Sequence, residues 1–379
     1  MVIFTFIITL ALYIILNFYV GRRILLFLSV FFHNINKFVF WSLYVLCTIS
    51  FFLTYIVPRF KFTKYIKVIS GYYMGALIYL LIFILIVDFF RLLFRYTEKI
   101  PNNELYSQKT IIAVGFMIIM MVVGIIVYGS YNAKNIQVKN YSIKIDKYEK
   151  PNKSLNIVML SDIHMGDIIT YKDIEKITTK INDISPDVIL ISGDVFDGDY
   201  YAVENIEEIE GLFKKLESKY GTYAVLGNHD SGKSYEEMVE FFKQADIKLL
   251  QDENISISDE FILCGRKDAN PIGVQGENRK SIKELLDNVD DNKPIIMLDH
   301  QPTSINEAEL NNVDLLLSGH THKGQLFPGN LITNKLFLVD YGYLKVNDLN
   351  VIVSSGVVTW GPPIRICSES EITNIKLEY

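Results

Sequence analysis

The first third of the chain is built from long apolar runs separated by short polar stretches. Four runs of 19 or 20 residues contain no charged side chain: 2–20, 38–57, 69–87 and 110–128. A helix needs about 20 residues to cross the ~30 Å hydrocarbon core of a bilayer. A single apolar run could also be a buried core helix, but four runs flanked by Lys and Arg favour spans. The pattern therefore predicts four transmembrane helices in a region covering residues 1–129.

A fifth apolar stretch, residues 24–32, is too short to cross a bilayer. It follows Arg22 and Arg23, and we expect it to form an interfacial or re-entrant helix that continues from these two residues.

From about residue 130 the pattern changes to short strands that alternate with amphipathic helices. Apolar runs rich in Ile, Leu and Val predict strands at 155–160, 188–191, 222–226, 294–298 and 313–317. Apolar residues spaced by three and four predict helices over 172–183 and 203–217. The stretch 247–264 indicates consecutive strands without a helix between them. The sequence therefore predicts an α/β domain over 130–379 with mixed sheets covered by helices.

Charge divides the chain at the same place. Residues 1–129 contain 11 Lys/Arg and 3 Asp/Glu, a net charge of +8, whereas the remainder contains 26 and 40, a net charge of −14. An acidic soluble domain argues against nucleic acid as a partner. Bound cations could neutralise a phosphate substrate in such a domain. The three scattered cysteines, Cys47, Cys264 and Cys367, indicate neither a disulfide framework nor a thiolate zinc site.

The basic residues between the spans also predict an orientation. The connections 21–37 and 88–109 share one side and hold seven Lys/Arg, whereas 58–68 holds four and faces the other side. The positive-inside rule then places the α/β domain on the outer side of the cell membrane. Lys134 and Lys139, just after the fourth span, favour the opposite orientation.

Candidate chemistry is concentrated directly after the predicted strands. Five of the six histidines lie there, in short polar patches, and the sixth, His33, lies in the apolar region. The carboxyl ends of strands in an α/β sheet face a common crevice. Asp, His and Asn are ligands suited to Mn, Fe or Zn, and there are enough of them for two ions. The patches are Ser161-Asp162-Ile163-His164, Gly193-Asp194-Val195-Phe196-Asp197, Gly227-Asn228-His229-Asp230, Asp299-His300-Gln301-Pro302 and Gly319-His320-Thr321-His322.

The order of these patches resembles the calcineurin-like metallophosphoesterase superfamily. The strings LSDIHMG, ISGDVFDGD, LGNHD, LDHQP, LSGHTHKGQLFP and VVTWGPPIRI are similar to its membrane-associated bacterial branch, over roughly residues 153–379. The resemblance implies a sandwich of two facing mixed sheets flanked by helices. One departure is Lys323, which stands where that branch usually has glycine and adds a cation beside the site.

The resemblance also implies residue roles. A first metal ion would be held by Asp162, His164 and His322, and a second by Asn228, His300 and His320, with Asp194 bridging both. His229 would stay unligated and protonate the leaving group, with Asp230 as a possible orienting partner. Asp197 and Asp299 are candidates for holding imidazoles in place, and Arg365 and Lys323 for contacting substrate phosphate; for each of them an ordinary turn or solvated position is the alternative.

The sequence thus predicts a membrane-anchored phosphoesterase. We expect a hydroxide shared by two divalent ions to attack a phosphodiester or pyrophosphate, most simply one on a lipid or lipid-linked molecule. Three alternatives stay open: a tethered phosphodiesterase of soluble nucleotides, a metal-binding phospholipid sensor without turnover, and a transporter. The transporter is disfavoured because no span carries a buried charge apart from Asp88 at the edge of one run.

Overall fold

The protein is described here from a computed structural model, which places residues 2–56, 62–145, 153–272, 278–287 and 289–379. The chain divides into two compact units. One contains Met1–Ser130 together with Gly361–Pro363, and the other contains Tyr131–Trp360 and Ile364–Tyr379.

The first unit is helical. Its helices are α1 (Val2–Phe31), α2 (Lys37–Ile56), α3 (Thr63–Thr97), α4 (Asn102–Leu105) and α5 (Gln108–Lys134), the last of which continues for four residues into the second unit. Four of them, α1, α2, α3 and α5, are long and apolar enough to cross a membrane. This confirms the four predicted apolar helices, although residue 57, the predicted end of the second, lies outside the described residues.

The stretch 24–32 is helical as far as Phe31 and continues from Arg22 and Arg23, whereas its interfacial or re-entrant position stays a prediction. The structure has one continuous helix, α1, that runs through Arg22 and Arg23 to Phe31. Arg23 forms an ion pair with Asp88 of α3, and its guanidinium stacks on the ring of Tyr19. Because this charge has partners on neighbouring helical surfaces, the helix does not have to end there.

The second unit contains strands and helices in alternation. Within the described residues its strands are β1 (Gln137–Lys144), β2 (Ser154–Leu160), β3 (Val188–Ser192), β4 (Thr222–Val225), β5 (Ile247–Leu249), β6 (Glu253–Ile257), β7 (Phe261–Gly265), β8 (Ile295–Leu298), β9 (Leu315–Ser318), β10 (Gly342–Val346), β11 (Leu349–Val353) and β12 (Glu371–Glu378). Its helices are α6 (Tyr171–Ile184), α7 (Ile206–Phe213), α8 (Tyr235–Gln244), α9 (Ile282–Leu285), α10 (Ile305–Leu310) and α11 (Gly329–Leu336).

The strands form two mixed six-stranded sheets. The first has the order β1-β12-β2-β3-β4-β5, and the second has the order β10-β11-β9-β8-β7-β6. In the first sheet β2, β3, β4 and β5 run parallel, and β12 is parallel to β1 but antiparallel to β2. In the second sheet β7, β8, β9 and β11 are parallel, with β6 and β10 antiparallel at the two edges. The two-sheet α/β fold agrees with the prediction.

Strand β2 shows how the sequence builds the layers. Leu155, Ile157 and Met159 point into the core between the two sheets, whereas Val158 and Leu160 point to the helices on the outer face. Successive side chains of a strand face opposite ways, so a continuous apolar run indicates burial on both faces. Full burial of each such side chain contributes about 1.5–3 kcal/mol.

Helix α6 covers the outer face of the first sheet. It begins with a capping box formed by Thr170 and Asp173. Its predicted apolar face, Ile174, Ile177 and Ile181, is fully buried in the same cluster as Val158. Helix and sheet are therefore fixed against each other directly beside the carboxyl end of β2, where the first polar patch begins.

Candidate metal centre

Each of the five polar patches follows the carboxyl end of a parallel strand. The strands are β2, β3 and β4 in the first sheet and β8 and β9 in the second. These ends bring their Asp and His side chains together, and three groups of ligand atoms result among the described residues.

The first group consists of Asp162, His164 and His322. The two imidazole Nε2 atoms lie 3.1 Å apart, and the Oδ1 atom of Asp162 lies 3.4 Å from Nε2 of His322. All three residues are buried. Two imidazole nitrogens and a carboxylate aimed at one point are a donor set for a transition ion.

The second group consists of Asp194, His300 and His320. The Nε2 atom of His300 lies 3.2 Å from Oδ2 of Asp194, and its Nδ1 atom lies 2.7 Å from the carbonyl oxygen of Ser192. A hydrogen bond from Nδ1–H to that carbonyl leaves the lone pair on Nε2, the tautomer that a metal ion requires. Ser192 was not anticipated, because a backbone acceptor leaves no signal in the residue type.

Asp194 lies between the two groups. Its Oδ2 atom is also 3.7 Å from Nε2 of His164, a member of the first group. Its Oδ1 atom accepts the backbone N–H of His229 at 2.8 Å. The carboxylate therefore faces both groups with one oxygen while the other is anchored.

Asn228, the seventh predicted ligand, lies in the loop after β4. Its side-chain oxygen Oδ1 is buried and has no hydrogen-bond partner among the described residues. A buried polar atom without a partner costs about 1–3 kcal/mol, so this oxygen points to a ligand.

The backbone at the site adopts rare conformations. Five of the seven predicted ligands, namely Asp162, His164, Asp194, His320 and His322, have positive φ values between 44° and 71°. Non-glycine residues adopt such angles in only a few per cent of cases, and each costs of order 1–3 kcal/mol. This conformation turns the side chains inward at the strand ends, and its cost suits a functional site.

Two glycines permit the close packing of these loops. A Cβ atom at Gly227 would overlap the carboxylate of Asp194, and one at Gly319 would overlap the side chains of Ser161 and Asp162. The glycine that begins each of these two polar patches is therefore required by the approach of a ligand-bearing loop.

His229 is placed differently from the other histidines. Its side chain is 29% exposed, and its Nδ1 atom lies 3.7 Å from Oδ1 of Asp197. The same oxygen is 3.7 Å from Nδ1 of His164. His164, Asp197 and His229 thus form a third group that could hold a cation.

The suggested pairing of Asp230 with His229 is not what the structure shows. The buried Asp230 carboxylate accepts the backbone N–H groups of Phe196, Gly227 and Val195, at 2.7, 2.9 and 3.2 Å. Burial, and then the charge of Asp194, raises the pKa of Asp230 to about 7. Asp230 therefore ties the loops after β3 and β4 together, and Asp197 is the carboxylate beside His229. The spacing Gly-Asp-x-x-Asp was the available signal for Asp197.

Two further candidates lie away from the positions proposed for them. Asp299 contacts no imidazole in the described part of the chain; it forms ion pairs with Arg279 at 2.9 Å and Arg266 at 3.3 Å. Arg365 is fully buried and donates to the carbonyl oxygen of Ser355 at 2.6 Å. Its Nη2 atom also lies 3.3 Å from Nδ1 of His322, so it supports a ligand loop from behind.

Lys323 lies on the surface near the site. Its Nζ atom stands 4.2 Å from the centre of the Tyr341 ring, a cation–π contact. It is partly exposed, and a role toward a substrate phosphate stays a prediction.

The buried imidazoles and carboxylates of the site have pKa values shifted by burial and by each other's charge. Burial lowers the pKa of His164 to about 3, so that imidazole is neutral and able to bind a metal ion. Burial would also lower the pKa of His300, but the Asp194 carboxylate raises it well above its ordinary value. Conversely, burial acts to raise the pKa of Asp194, whereas His300 holds it far below its usual range. A cation between Asp194 and His300 would take the place of the proton that they otherwise share.

The residues therefore fit a metal centre. They provide neutral imidazoles, buried carboxylates and an unpartnered amide oxygen, and they stand at the strand ends of a two-sheet α/β sandwich. A site of this kind on this fold defines a metal-dependent hydrolase.

Comparison with known proteins shows to which family of metal-dependent hydrolases the chain belongs. Residues 155–324 match the model of the calcineurin-like phosphoesterase family. Two uncharacterized metallophosphoesterases from different strains of Helicobacter pylori are 32% and 31% identical. The first match covers 64% of this chain and 64% of the relative, and the second covers 78% and 79%. A transmembrane protein with metallophosphoesterase domain from Danio rerio is 31% identical, over 66% of this chain and 60% of that protein. The chain belongs to the calcineurin-like phosphoesterase family, and it is accordingly a metal-dependent phosphoesterase of the hydrolase class.

Proposed function

We propose that this protein is a membrane-anchored phosphoesterase that uses two divalent metal ions to hydrolyse a phosphodiester or pyrophosphate of a lipid or lipid-linked molecule. The observation that carries the proposal is the position of Asp194, whose Oδ2 atom lies 3.2 Å from His300 in one ligand group and 3.7 Å from His164 in the other.

Seven side chains would hold the ions. Asp162, His164 and His322 would bind the first, Asn228, His300 and His320 the second, and Asp194 both. When bound, two such ions would lower the pKa of a water molecule toward 7 and polarise the phosphoryl oxygens. Manganese, iron and zinc all suit this set of nitrogen and oxygen donors.

His229 would donate a proton to the departing oxygen. Its imidazole is partly exposed, so a substrate can reach it, and the ring of Trp360 lies 5.6 Å away on one side. The Asp197 carboxylate beside Nδ1 would keep a proton on that nitrogen. The backbone bond from His229 to Asp194 would hold the proton donor at a fixed distance from the ions.

The proposal of a lipid substrate comes from the first unit. Four apolar helices of membrane-spanning length precede the catalytic unit, and a relative in Danio rerio is named as a transmembrane protein. A hydrolase fixed in the cell membrane meets substrates of that membrane at high local concentration. The balance of Lys and Arg around the spans supports a catalytic unit on the outer side.

A direct test is hydrolysis of bis-p-nitrophenyl phosphate by the purified full-length protein with added Mn²⁺. We expect turnover by the natural protein and none above background by Asp194→Ala. The exposed Asp183 on α6 offers a matched control, and Asp183→Ala should retain full activity. Full activity in Asp194→Ala would refute the two-metal mechanism, and metal binding without hydrolysis by the natural protein would indicate a sensor.

A further inference from the structure

Helix α11 carries its apolar side chains outward. Leu331, Ile332 and Leu336 are 54%, 60% and 72% exposed, and no residue of the helix is buried. Together with Phe327 and Leu338 they form a surface that we name the apolar ridge. A surface helix ordinarily turns its apolar stripe to the core, whereas α11 turns its apolar stripe away from the core.

The polar side of the same helix is held against the protein. The Oγ1 atom of Thr333 donates to Oδ2 of Asp340 at 2.6 Å, and the carbonyl oxygen of the buried Asp340 accepts the hydroxyl of Thr321 at 2.5 Å. At the start of the helix, the backbones of Gly324 and Gly329 approach so closely that neither has room for a Cβ atom. The orientation of α11 is therefore fixed by the fold, and its apolar face is presented to the surroundings.

The apolar ridge is directly connected to the metal-binding loop. Thr321 lies between His320 and His322, and the ring of Phe337 is 6.2 Å from the ring of His320. Gln325, two residues before Phe327, exchanges two hydrogen bonds of 2.8 Å with the backbone of Trp360. The ridge thus lies along one border of the candidate site.

The charge around the ridge also differs from that of its unit. Residues 319–339 contain Lys323 and Lys335 and no acidic residue, although residues 130–379 have a net charge of −14. Lys335 is exposed on the same side of α11 as Leu331, which lies four residues earlier in the helix. An apolar stripe with a lysine whose stem can extend to the lipid head groups is typical of helices that lie in a membrane interface.

The chain itself keeps this unit close to a bilayer if the apolar helices are inserted. Helix α5 ends at Lys134 and β1 begins at Gln137. The two residues between them span at most about 7 Å. A bilayer that holds α5 would therefore be separated from β1 by only a short length of chain.

We propose that the apolar ridge inserts into the interface of the bilayer that holds the protein, and so presents the metal-binding loop to the lipid head groups. The inference rests on the proposed membrane anchoring, and it commits to the bilayer, not a second copy of the chain, as the occupant of the ridge.

The test places a fluorophore on the ridge of the full-length protein. Cys47 and Cys367 are exposed and are first replaced by serine, whereas the buried Cys264 is kept. An environment-sensitive dye is then attached to Ile332→Cys or, independently, Leu336→Cys. Leu310, which is 78% exposed on α10, provides the matched control site as Leu310→Cys. Each labelled protein is reconstituted in nanodiscs of phosphatidylcholine and phosphatidylglycerol, with or without brominated acyl chains.

We expect blue-shifted emission and quenching by bromolipid at 332 and 336, and neither at 310. Water-like emission at both ridge sites in protein that stays in the nanodisc would overturn the ridge proposal while leaving the anchoring intact. Failure of the natural protein to enter nanodiscs would overturn both. Shielding that depends on protein concentration, without bromolipid quenching, would identify a second copy as the occupant and would also refute the proposal.

Discussion

The Nε2 atom of His300 lies 3.2 Å from the Oδ2 atom of Asp194. Both side chains are buried, and each holds the other in its charged form. A metal ion bound between them would replace this mutual stabilisation. Loss of His300 should therefore remove the ion at this position, and the metal content of the protein would show it.

Replacement of His300 by alanine should remove one of two bound ions. The first group, Asp162, His164 and His322, stays intact in this variant, so one ion should remain. We expect affinity for the lost ion to fall by more than the ~10–100-fold that loss of a ligand's supporting partner costs. Elemental analysis of the purified protein measures the ratio. His33→Ala, an exposed histidine outside the catalytic unit, should keep both ions, and an unchanged metal content in His300→Ala would contradict the assignment.

Replacement of His229 by alanine should slow turnover without loss of metal. A positioned general acid contributes roughly 10²–10⁴-fold, so kcat should fall by that factor. Steady-state kinetics with bis-p-nitrophenyl phosphate, combined with elemental analysis, separates the effects. Because His229 also stands with Asp197 and His164 in a possible cation group, loss of metal in this variant would mean that His229 is a ligand.

Replacement of Arg266 by alanine should destabilise the protein rather than alter its chemistry. Arg266 pairs with the fully buried Asp299, which Arg279 would still contact in this variant, so the cost should stay below the ~3–5 kcal/mol of a buried charge left without any partner. Thermal unfolding should show a lower Tm. Lys243→Ala provides the comparison, because its 81% exposed side chain pairs with Glu240 at the surface, where such pairs are worth about 0.3–0.5 kcal/mol. Equal changes in Tm would refute the structural role given to Asp299.

Cys264 should resist alkylation in the native protein. Burial raises the pKa of its thiol to about 12, so the reactive thiolate is scarce at pH 8.5 and gains population only as the pH rises toward that value. Iodoacetamide should modify the exposed Cys367 and spare Cys264 until the protein is unfolded. Mass spectrometry of peptides reports both sites, and rapid native modification of Cys264 would contradict the packing of β7.

The sequence predicted the layers of the fold because burial leaves a strong periodic signal. The run Leu155–Leu160 is apolar on both faces of β2 since one face meets the second sheet and the other meets helices such as α6. The positions of the strands also predicted that the histidines would lie close together, because parallel strands end at a common edge. The four apolar helices followed from length and hydropathy alone.

Side-chain partners within the loops were harder to predict. Asp230 is adjacent to His229 in the sequence whereas Asp197 follows a different strand, and only the loop geometry decides which of them meets the imidazole. The positive φ angle of Asp194 turns that loop in a way that no periodic pattern encodes. Asp299 pairs with arginines 33 and 20 residues earlier in the chain, contacts that exist only once β7 and β8 are paired.

The last strand also sets the order in which the domain can be completed. β12, residues Glu371–Glu378, lies between β1 and β2 and pairs with both, so the first two strands to leave the ribosome are not neighbours. The two strands are joined only through Glu371–Glu378, a contact of very long sequence separation. Deletion of β12 would split the first sheet and leave β1 without its partner. β12 is thus an internal seam of the first sheet, although it lies far along the chain from both strands that it joins.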